Sequence, residues 1–288
     1  MDTLTKSINS IQPSQLYISS KKLRKVKEYL DSVTVEEMEP LPIKRIGEDI
    51  FFTDGHTRAF VLHKKGYKKI KVYWDNDDLN WLQYMVCIDW CNKNGITSIK
   101  DLENKIINHK EYKELWVQKC EEMHNDLKKN INTYINITEI FNQEIKSSIS
   151  ELVLRNLPEW FGIEESIQKY MDQVKNKCFF AVKIGDKPIG FISIKDHNKY
   201  TSEIYVLGLL KEFHGKGIGK KLLNKVVRKL EQQKSKKFLT VKTLSDLHPD
   251  KYYKKTRKFY NEMDFYPLEE IKELWGEGNP CLYMIKIL

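Results

Sequence analysis

The chain has 288 residues and a formal net charge of +9, with 41% hydrophobic and 31% charged residues. That length predicts two domains, since a domain usually holds about 100–200 residues. No apolar run approaches the ~18 residues that cross a bilayer. The residues after Met1 lack the basic and then apolar layout of a signal peptide. We therefore expect a cytoplasmic protein with no membrane partner.

Cysteine usage favours reduced thiols over a metal site. The five cysteines are widely spaced, and only Cys87 and Cys91 lie four apart, in an apolar run typical of a helix. A zinc site needs further ligands at matching spacing, and the sequence offers none. We expect buried free thiols and no metal.

The beginning of the chain alternates short strands and helices. Residues 21–30 have the spacing of an amphipathic helix, with Leu23, Val26 and Leu30 on one face. A second helix is predicted from Arg58 to Lys65, ending at Gly66, a residue that favours helix C-termini. The predicted strands, with a turn at Gly47-Glu48 between the second and the third, are 15–18, 41–45, 50–53 and 69–74.

A strand, an Asp-Gly turn and the start of a helix meet at Asp54, Gly55, His56, Thr57 and Arg58. Backbone amides at a helix start, together with a guanidinium group, are suited to bind an anion. This motif and the order of elements around it resemble the ParB/sulfiredoxin superfamily, in the version found in ParB-like free-serine kinases. The resemblance implies a mixed sheet with helices, in which the turn and Arg58 contact the phosphates of a nucleotide such as ATP or ADP.

Several roles stay open for this N-terminal half. It binds a nucleotide or regulates the rest of the chain, it is a kinase for a small serine-like molecule, or it is a structural module in which Asp54 and His56 brace a turn. A nucleic-acid-binding role is a further alternative. It is disfavoured because no helix-turn-helix follows, and because residues 1–130 carry 22 basic and 20 acidic residues, a net charge of only +2.

The domain boundary is predicted near residue 130, after a charged stretch at 98–123 that is expected to be helical. Residues 1–130 then form the first domain with a helical extension, and residues 131–288, with a net charge of +7, form the second. The helices predicted in the second domain are 144–154, 164–174, 220–232 and 256–263. Its predicted strands are 179–183, 189–195, 203–210, 238–243 and 281–287.

An apolar strand runs into a glycine-rich loop, His214-Gly215-Lys216-Gly217-Ile218-Gly219, and then into a basic helix. Glycines let several amides converge on phosphate oxygens, and the helix start adds positive charge. Glycines alone also fit an ordinary helix-starting turn. A dinucleotide-binding loop is excluded by context, because this loop follows an antiparallel hairpin and Val241-Lys242-Thr243 stands where an acidic residue is needed.

Further segments accompany the loop, namely Leu157–Gly162, Val241–Leu244, Tyr253–Phe265 and Asn279–Cys281. Together with the loop they resemble the GNAT superfamily of acetyltransferases over residues ~135–288. His214 stands where that family usually has Arg or Gln, and Asp264 replaces a usual Gly, which indicates a helix end that tolerates another residue. The resemblance implies an α+β protein of two domains, the second with a mixed central sheet flanked by helices.

This resemblance implies an N-acetyltransferase that moves an acetyl group from acetyl-CoA to a primary amine of a small molecule or peptide by direct attack. The pantetheine arm would pair with the backbone of Leu209, Leu210 and Lys211. The pyrophosphate would lie on the amides of His214, Gly215, Lys216, Gly217, Ile218, Gly219 and Lys220. A histidine gains charge only below about pH 6.5, so the contact from His214 is expected to be weaker or pH-sensitive.

Tyr260 matches the family's general acid, with packing in a helix as its alternative role. Glu203 is the predicted general base, acting through water, with a solvent-facing carboxylate as the alternative and Glu159 as a rival. Glu159, Glu164 and Glu165 either receive a cationic amine or are first-turn acids of a helix. His197 and His248, in polar turns, are expected at the surface. Neither the acceptor nor the oligomeric state follows from the sequence.

Overall fold

The computed structural model describes residues 3–34, 37–47, 49–77 and 79–288, without the side chain of Asn132. The chain divides into two compact units, one made of Met1–Ile135 and Ile184–Lys187, the other of Asn136–Lys183 and Pro188–Leu288. Each unit combines helices with a sheet, so the fold is mixed α and β. Every helix of the described residues falls short, in length or in apolar character, of what a bilayer crossing requires.

The N-terminal unit is built on a small mixed sheet. Its strands are β1 (Thr3–Ser7), β2 (Ile18–Ser19), β3 (Leu41–Ile46), β4 (Asp49–Phe52), β5 (Lys69–Trp74) and β6 (Ile106–Ile107). Four of them form a sheet in the order β1-β5-β3-β4, with β3 and β5 parallel and the outer pairs antiparallel. The remaining two, β2 and β6, pair in parallel as a separate short ribbon.

Helices cover this sheet, and one of them is central to the core. They are α1 (Ser20–Ser32), α2 (His56–Lys64), α3 (Trp81–Lys93), α4 (His109–Tyr112), a π-helical segment at Lys113–Gln118, and α5 (Lys119–Lys129). Four consecutive residues of α2, from Ala59 to Leu62, are buried, so this helix is enclosed rather than amphipathic. It ends before Gly66, whose φ of 91° is costly for any residue with a side chain.

The C-terminal unit is a seven-stranded sheet with helices. Its strands are β7 (Ile135–Glu139), β8 (Cys178–Ile184), β9 (Lys187–Asp196), β10 (Thr201–Leu209), β11 (Phe238–Leu244), β12 (Tyr266–Ile271) and β13 (Cys281–Ile287). They lie in the order β12-β13-β11-β10-β9-β8-β7. The central strands β10 and β11 are parallel, whereas β10 with β9 and β11 with β13 are antiparallel.

The helices of this unit are α6 (Gln143–Arg155), α7 (Glu164–Val174), α8 (Ile218–Glu231) and α9 (Lys251–Asn261). Helix α8 buries an apolar stripe at helical spacing that includes Leu222, Val226 and Leu230. Helix α6 comes so close to β10 that a Cβ on Gly208 would lie 2.8 Å from a methyl of Val153. Glycine at 208 is therefore required by packing rather than by backbone conformation.

Most predicted elements are confirmed. Helix Glu164–Val174 and strands 69–74 and 281–287 have the predicted bounds. Helix α9 begins five residues earlier than predicted, because the side chain of Asp250 accepts hydrogen bonds from the amides of Tyr252 and Tyr253 and caps it there. Glu48 of the predicted turn lies outside the described residues.

Three predictions were wrong or incomplete. The stretch 98–123 is not one helix, because a 3-10 turn at Ile99–Lys105 is followed by extended β6, and a new helix starts where the Asn108 side chain caps it. The strand predicted at 15–18 is limited to Ile18–Ser19. Strands β1, β7 and β12 were not predicted; β12 is largely exposed and carries a proline and two glutamates, so its pattern is not apolar.

Candidate active site

Strands β10 and β11 separate along their length. They pair only as far as Ile204 and Val241, although β10 continues to Leu209 and β11 to Leu244. On its other edge β10 stays paired with β9, through a bulge after Ile204. We call the opening between residues 205–209 and 242–244 the wedge. Unpaired backbone groups along such edges can hydrogen-bond an extended chain that carries amides of its own.

The glycine loop follows β10 at the open end of the wedge. Gly215 and Gly217 have φ values of 72° and 74°, and Gly217 precedes α8 without any side-chain cap. Within the described part of the chain, the amides of residues 215–217 donate no backbone hydrogen bond. The side chain of Lys216 is exposed and without an ion-pair partner among the described residues. Free amides and an unpaired cation at a helix start suit an anion.

His214, the unusual residue of the loop, hydrogen-bonds back to the strand that precedes the loop. Its Nε2 donates a hydrogen bond of 2.6 Å to the carbonyl oxygen of Leu209, at the end of β10. The Lys211 side chain pairs with Glu159 at 2.6 Å, and Leu209 and Leu210 are buried. The imidazole thus covers a strand carbonyl, whereas its expected role was contact with pyrophosphate.

The indole of Trp160 spans the open end of the wedge. Its Nε1 donates to Oγ1 of Thr256 in α9 at 3.1 Å, and the hydroxyl of Tyr253 donates to its carbonyl oxygen at 3.2 Å. Its ring lies edge-on to Tyr252 at 5.1 Å and to His214 at 5.7 Å between centroids. One side chain therefore contacts both the segment after β10 and the helix after β11.

A buried charge cluster marks the last paired residues of β10 and β11. Glu203 is 6% exposed and accepts hydrogen bonds from Lys242 at 3.0 and 3.1 Å and from His197 Nε2 at 2.6 Å. The Lys242 ammonium also lies 5.1 Å from the ring centroid of Tyr283. Glu203 is therefore not the solvent-facing carboxylate of the alternative interpretation.

Sequence reasoning missed both partners of Glu203. His197 lies at the surface as expected, but sequence reasoning did not predict its contact with a buried carboxylate. Lys242 was noted as part of the segment Val241–Leu244 and as the occupant of a position where an acid was absent, but not as a partner of Glu203. A lysine in the largely buried strand 238–244 is a signal that could have identified it, since a half-buried cation is usually paired.

Tyr260 lies on the inner side of α9, 5% exposed, between Phe259 and Phe265, with ring centroids at 5.2 and 5.4 Å. Burial, with a smaller contribution from Tyr253, raises the pKa of the Tyr260 phenol above its usual range. The phenol keeps its proton at neutral pH. Beyond the helix, Asp264 has a φ of 60°, so the helix end does tolerate a residue other than glycine.

Arg257, on the same helix, holds the end of β11. Its guanidinium donates to the carbonyl oxygens of Leu244 at 2.8 Å and Ser245 at 3.1 Å. A cavity of about 740 Å³ opens beside it. The cavity is lined by Asp246, His248, Pro249, Asp250, Lys254, Arg257, Lys258, Asn261 and Glu262. Its charges are of both signs, and the glycine loop takes no part in it.

The three glutamates that were expected either to receive an amine or to be first-turn acids of a helix have different surroundings. Arg155 binds both carboxylate oxygens of Glu164, at 2.6 and 2.8 Å, in the first turn of α7. Glu165 is exposed in the same turn. Glu159 has one oxygen, Oε2, that is buried without a hydrogen-bond partner in the described structure. Only Glu159 thus keeps an acceptor in need of a donor.

In the N-terminal unit, Asp54–Arg58 also starts a helix after a glycine. Gly55 has a φ of 77° and precedes α2 without a side-chain cap. A Cβ there would lie 2.8 Å from Leu41. The Arg58 guanidinium lies 3.8 Å from Asp54 and 3.9 Å from Glu39. The cation at this helix start is already compensated by two carboxylates.

The imidazole of His56 faces inward. The amide of Ser14 donates to its Nε2 at 3.0 Å, and burial lowers the pKa of His56 to about 4, against a smaller opposing effect of Asp54. The ring is neutral at pH 7 and braces the loop that carries Ser14. It adds no charge to the helix start.

Residues 146–265 match the acetyltransferase (GNAT) family. This part of the chain is a GNAT acetyltransferase domain. The matched range contains the wedge, the glycine loop, Glu203 and Tyr260, so these features lie inside an acyltransferase domain. No curated protein matches the sequence.

Solved structures resemble about half of this chain. An acetyltransferase from Streptococcus agalactiae is 15% identical and covers 54% of this chain and 98% of its own, with a TM-score of 0.44. The aminoglycoside 6'-N-acetyltransferase from Enterococcus faecium is 16% identical, with coverages of 53% and 96% and a TM-score of 0.42. A GNAT family acetyltransferase from Elizabethkingia anophelis with acetyl-CoA bound is 18% identical, with coverages of 54% and 99% and a TM-score of 0.40. The acceptor and ligand named there are properties of those proteins.

Proposed function

We propose that the GNAT domain transfers the acetyl group of acetyl-CoA to a primary amine by direct attack. The observation that carries this proposal is the wedge, with the uncapped glycine loop at its open end. The pantetheine arm would pair with the backbone at Leu209, Leu210 and Lys211. The pyrophosphate would lie on the amides of residues 214–220. When bound, acetyl-CoA supplies a thioester whose carbonyl is open to an amine.

Three observations support the fit of these residues to acetyl-CoA. Among the described residues, the amides of residues 215–217 have no backbone partner and Lys216 is an unpaired cation. The inner strand edges provide donors and acceptors for an arm that contains amides. We favour the wedge over the cavity beside α9, because that cavity has acids and bases in similar number and no free amide loop.

Glu203 is the proposed general base. Lys242 and His197 both donate hydrogen bonds to its carboxylate and fix its position at the last paired residues of β10 and β11. The amine proton would reach Glu203 through water. Glu159, whose second oxygen has no partner, is proposed to receive the ammonium group of the acceptor.

Tyr260 is the proposed general acid for the departing thiolate. A phenol held protonated by burial suits that role, since the proton is present until the thiolate forms. Its contacts with Phe259 and Phe265 would fix the ring. The packing role is then part of the same function.

Two measurements test the proposal on the full chain. Acetyl-CoA at 100 times its Kd should stabilise the GNAT domain by about 2.7 kcal/mol, and the absence of any shift in its melting temperature at millimolar ligand would refute the proposal.

Tyr260→Phe should lower kcat about 100-fold or more with little change in acetyl-CoA affinity. Tyr266→Phe, which alters an exposed tyrosine, is the matched control. A screen of polyamines, amino acids, aminoglycosides and peptide amines for CoA release would identify the acceptor.

For the N-terminal residues 1–130 we propose a ParB/sulfiredoxin-like domain that binds a nucleotide such as ATP or ADP and modulates the GNAT domain. The uncapped start of α2 beside Arg58 favours this. Arg58 would exchange Asp54 and Glu39 for phosphate. Titration of the full chain with ATP should give binding that Arg58→Gln removes and Lys68→Gln retains. Phosphorylation of serine would establish the kinase alternative, and a steep salt dependence of DNA affinity would establish nucleic-acid binding.

A further inference from the structure

The open end of the wedge has two walls, and Trp160 contacts both. One wall is the segment after β10, where His214 lies 5.7 Å from the indole between ring centroids. The other is α9, where Tyr252 lies at 5.1 Å and Thr256 accepts the indole hydrogen bond. A chain that pairs with the inner edges of both strands and ends on the glycine loop would pass beside His214, which belongs to that loop. Trp160 contacts His214 and α9 together.

Polar contacts hold the indole and its segment in place. Nε1 donates to Thr256 at 3.1 Å, and the Tyr253 hydroxyl donates to the Trp160 carbonyl at 3.2 Å. Neighbouring Glu159 pairs with Lys211 at 2.6 Å. Each neutral hydrogen bond of this kind contributes roughly 0.5–1.5 kcal/mol net. Loss of one such bond would therefore change the balance between a closed and an open segment about 2- to 10-fold.

An acceptor beside the indole has a use when the segment opens. The Leu209 carbonyl, at the end of the inner edge, is occupied by His214 Nε2 at 2.6 Å. An arm that carries N–H groups can replace the imidazole as the donor to this carbonyl.

We propose that Trp160 is a residue of the acetyl-CoA site that controls entry, because the indole must leave Thr256 before the pantetheine arm reaches the wedge. This rests on the proposed acetyl-CoA site. The observed association rate is then the rate for the open form multiplied by its population. Removing one hydrogen bond of the closed form raises that population, and association should become about 2- to 10-fold faster.

The alternative roles of Trp160 predict other outcomes. An indole that only supports the fold would leave the association rate unchanged or lower it when its bond is lost. An indole that only stacks on bound ligand would leave association unchanged and change the dissociation rate. The direction of the association rate therefore separates entry control from both.

The test is stopped-flow binding of coenzyme A and acetyl-CoA to the full chain. Thr256→Val and Trp160→Phe each remove the indole hydrogen bond, Tyr253→Phe removes the second contact, and Thr256→Ser keeps a hydroxyl as the matched control. We expect about 2- to 10-fold faster association for the first three and the wild-type rate for Thr256→Ser. Amide exchange of residues 157–162 should rise in the same three variants.

Unchanged or slower association in both Thr256→Val and Tyr253→Phe would overturn the inference, while wild-type binding would keep the proposed function intact. Failure of the wild-type chain to bind either ligand would instead refute the proposed function, and entry control with it. Two of the variants change α9 and one changes Trp160. If a single variant misfolds, the association rates of the other two still test the inference.

Discussion

Helices α2 and α8 begin with the same backbone geometry, but the charged groups around their first turns differ. Both follow a glycine of positive φ, 77° at Gly55 and 74° at Gly217, and neither has a side-chain cap. At α2 the adjacent Arg58 is compensated by Asp54 and Glu39. At α8 the amides of residues 215–217 have no backbone partner and Lys216 has no ion-pair partner among the described residues.

The comparison teaches that backbone geometry alone does not define an anion site. The same turn can present amides to a ligand or be enclosed by its own protein. The decisive difference is whether nearby charge is already neutralised, since an anion must then displace a carboxylate to bind. We therefore expect acetyl-CoA to bind the α8 site more tightly than a nucleotide binds the α2 site.

The largest expected difference concerns the two glycines themselves. Gly55→Ala combines an unfavourable φ with a Cβ only 2.8 Å from Leu41, a fully buried residue, and should destabilise its unit by about 2–4 kcal/mol. Gly217→Ala meets no atom within 4 Å and should cost about 1–2 kcal/mol. Denaturant unfolding of the full chain with residue-resolved amide exchange measures both. A loss of stability in Gly217→Ala equal to or larger than that in Gly55→Ala would contradict the comparison.

The second prediction concerns the pH dependence of stability. Protonation of His56 should destabilise the N-terminal unit at acid pH. The unfolded pKa is about 6.5 and the folded pKa about 4, so the unfolded chain binds more protons between these values. Stability of the N-terminal unit is therefore complete above pH 6.5 and falls as the pH drops toward 4, by about 3 kcal/mol in total. Amide exchange across this pH range measures it, and His56→Gln should flatten the dependence. A slope unchanged in that variant would assign it to other groups.

A charge reversal tests the unpaired cation at α8. Lys216→Glu should weaken acetyl-CoA binding about tenfold at low salt, because a nearby charge would then repel the pyrophosphate. Lys225→Glu, an exposed change on the same helix with the same net charge, is the control and should have a smaller effect. Arg58→Glu should leave acetyl-CoA affinity unchanged. Isothermal titration of the three variants with acetyl-CoA measures these affinities. Equal losses of affinity at positions 216 and 225 would indicate a long-range electrostatic effect instead of a local contact.

The smallest expected effect is at a helix end that lacks glycine. Asp264 adopts a φ of 60°, where an L-residue is strained by about 1–2 kcal/mol and aspartate by less. Asp264→Gly should change stability by at most about 1 kcal/mol, since relief of strain opposes the greater freedom of the unfolded chain and loss of the Lys286 pair. Asp264→Ala should be the less stable of the two. Thermal unfolding of both variants tests the order.

Much of the fold could be predicted because its elements are apolar and periodic. Helix α7 and strand β13 show their spacing in the sequence alone. Strand β12 could not be predicted, because it is exposed and held mainly by pairing with β13. The break at Ile106–Ile107 depends on a cap at Asn108 that competes with a continuous helix.

The candidate site was predictable where its residues are neighbours in sequence and not where folding brings them together. The glycine loop occupies consecutive positions. The contact of His197 and Lys242 with Glu203 joins three strands or turns, and that of Trp160 with Thr256 joins residues 96 positions apart. The inward turn of His56 toward Ser14 was equally hidden, because it depends on which face of the loop is buried.

Because β10 diverges from β11, the proposed binding surface consists of backbone N–H and C=O groups. No ordinary side-chain replacement along 205–209 deletes a backbone donor or acceptor, so these positions can change in sequence while the hydrogen-bonding surface persists. Only proline, or an ester in place of an amide, removes one of its groups. Sequence identity at positions 205–209 therefore does not indicate whether this part of the site is retained.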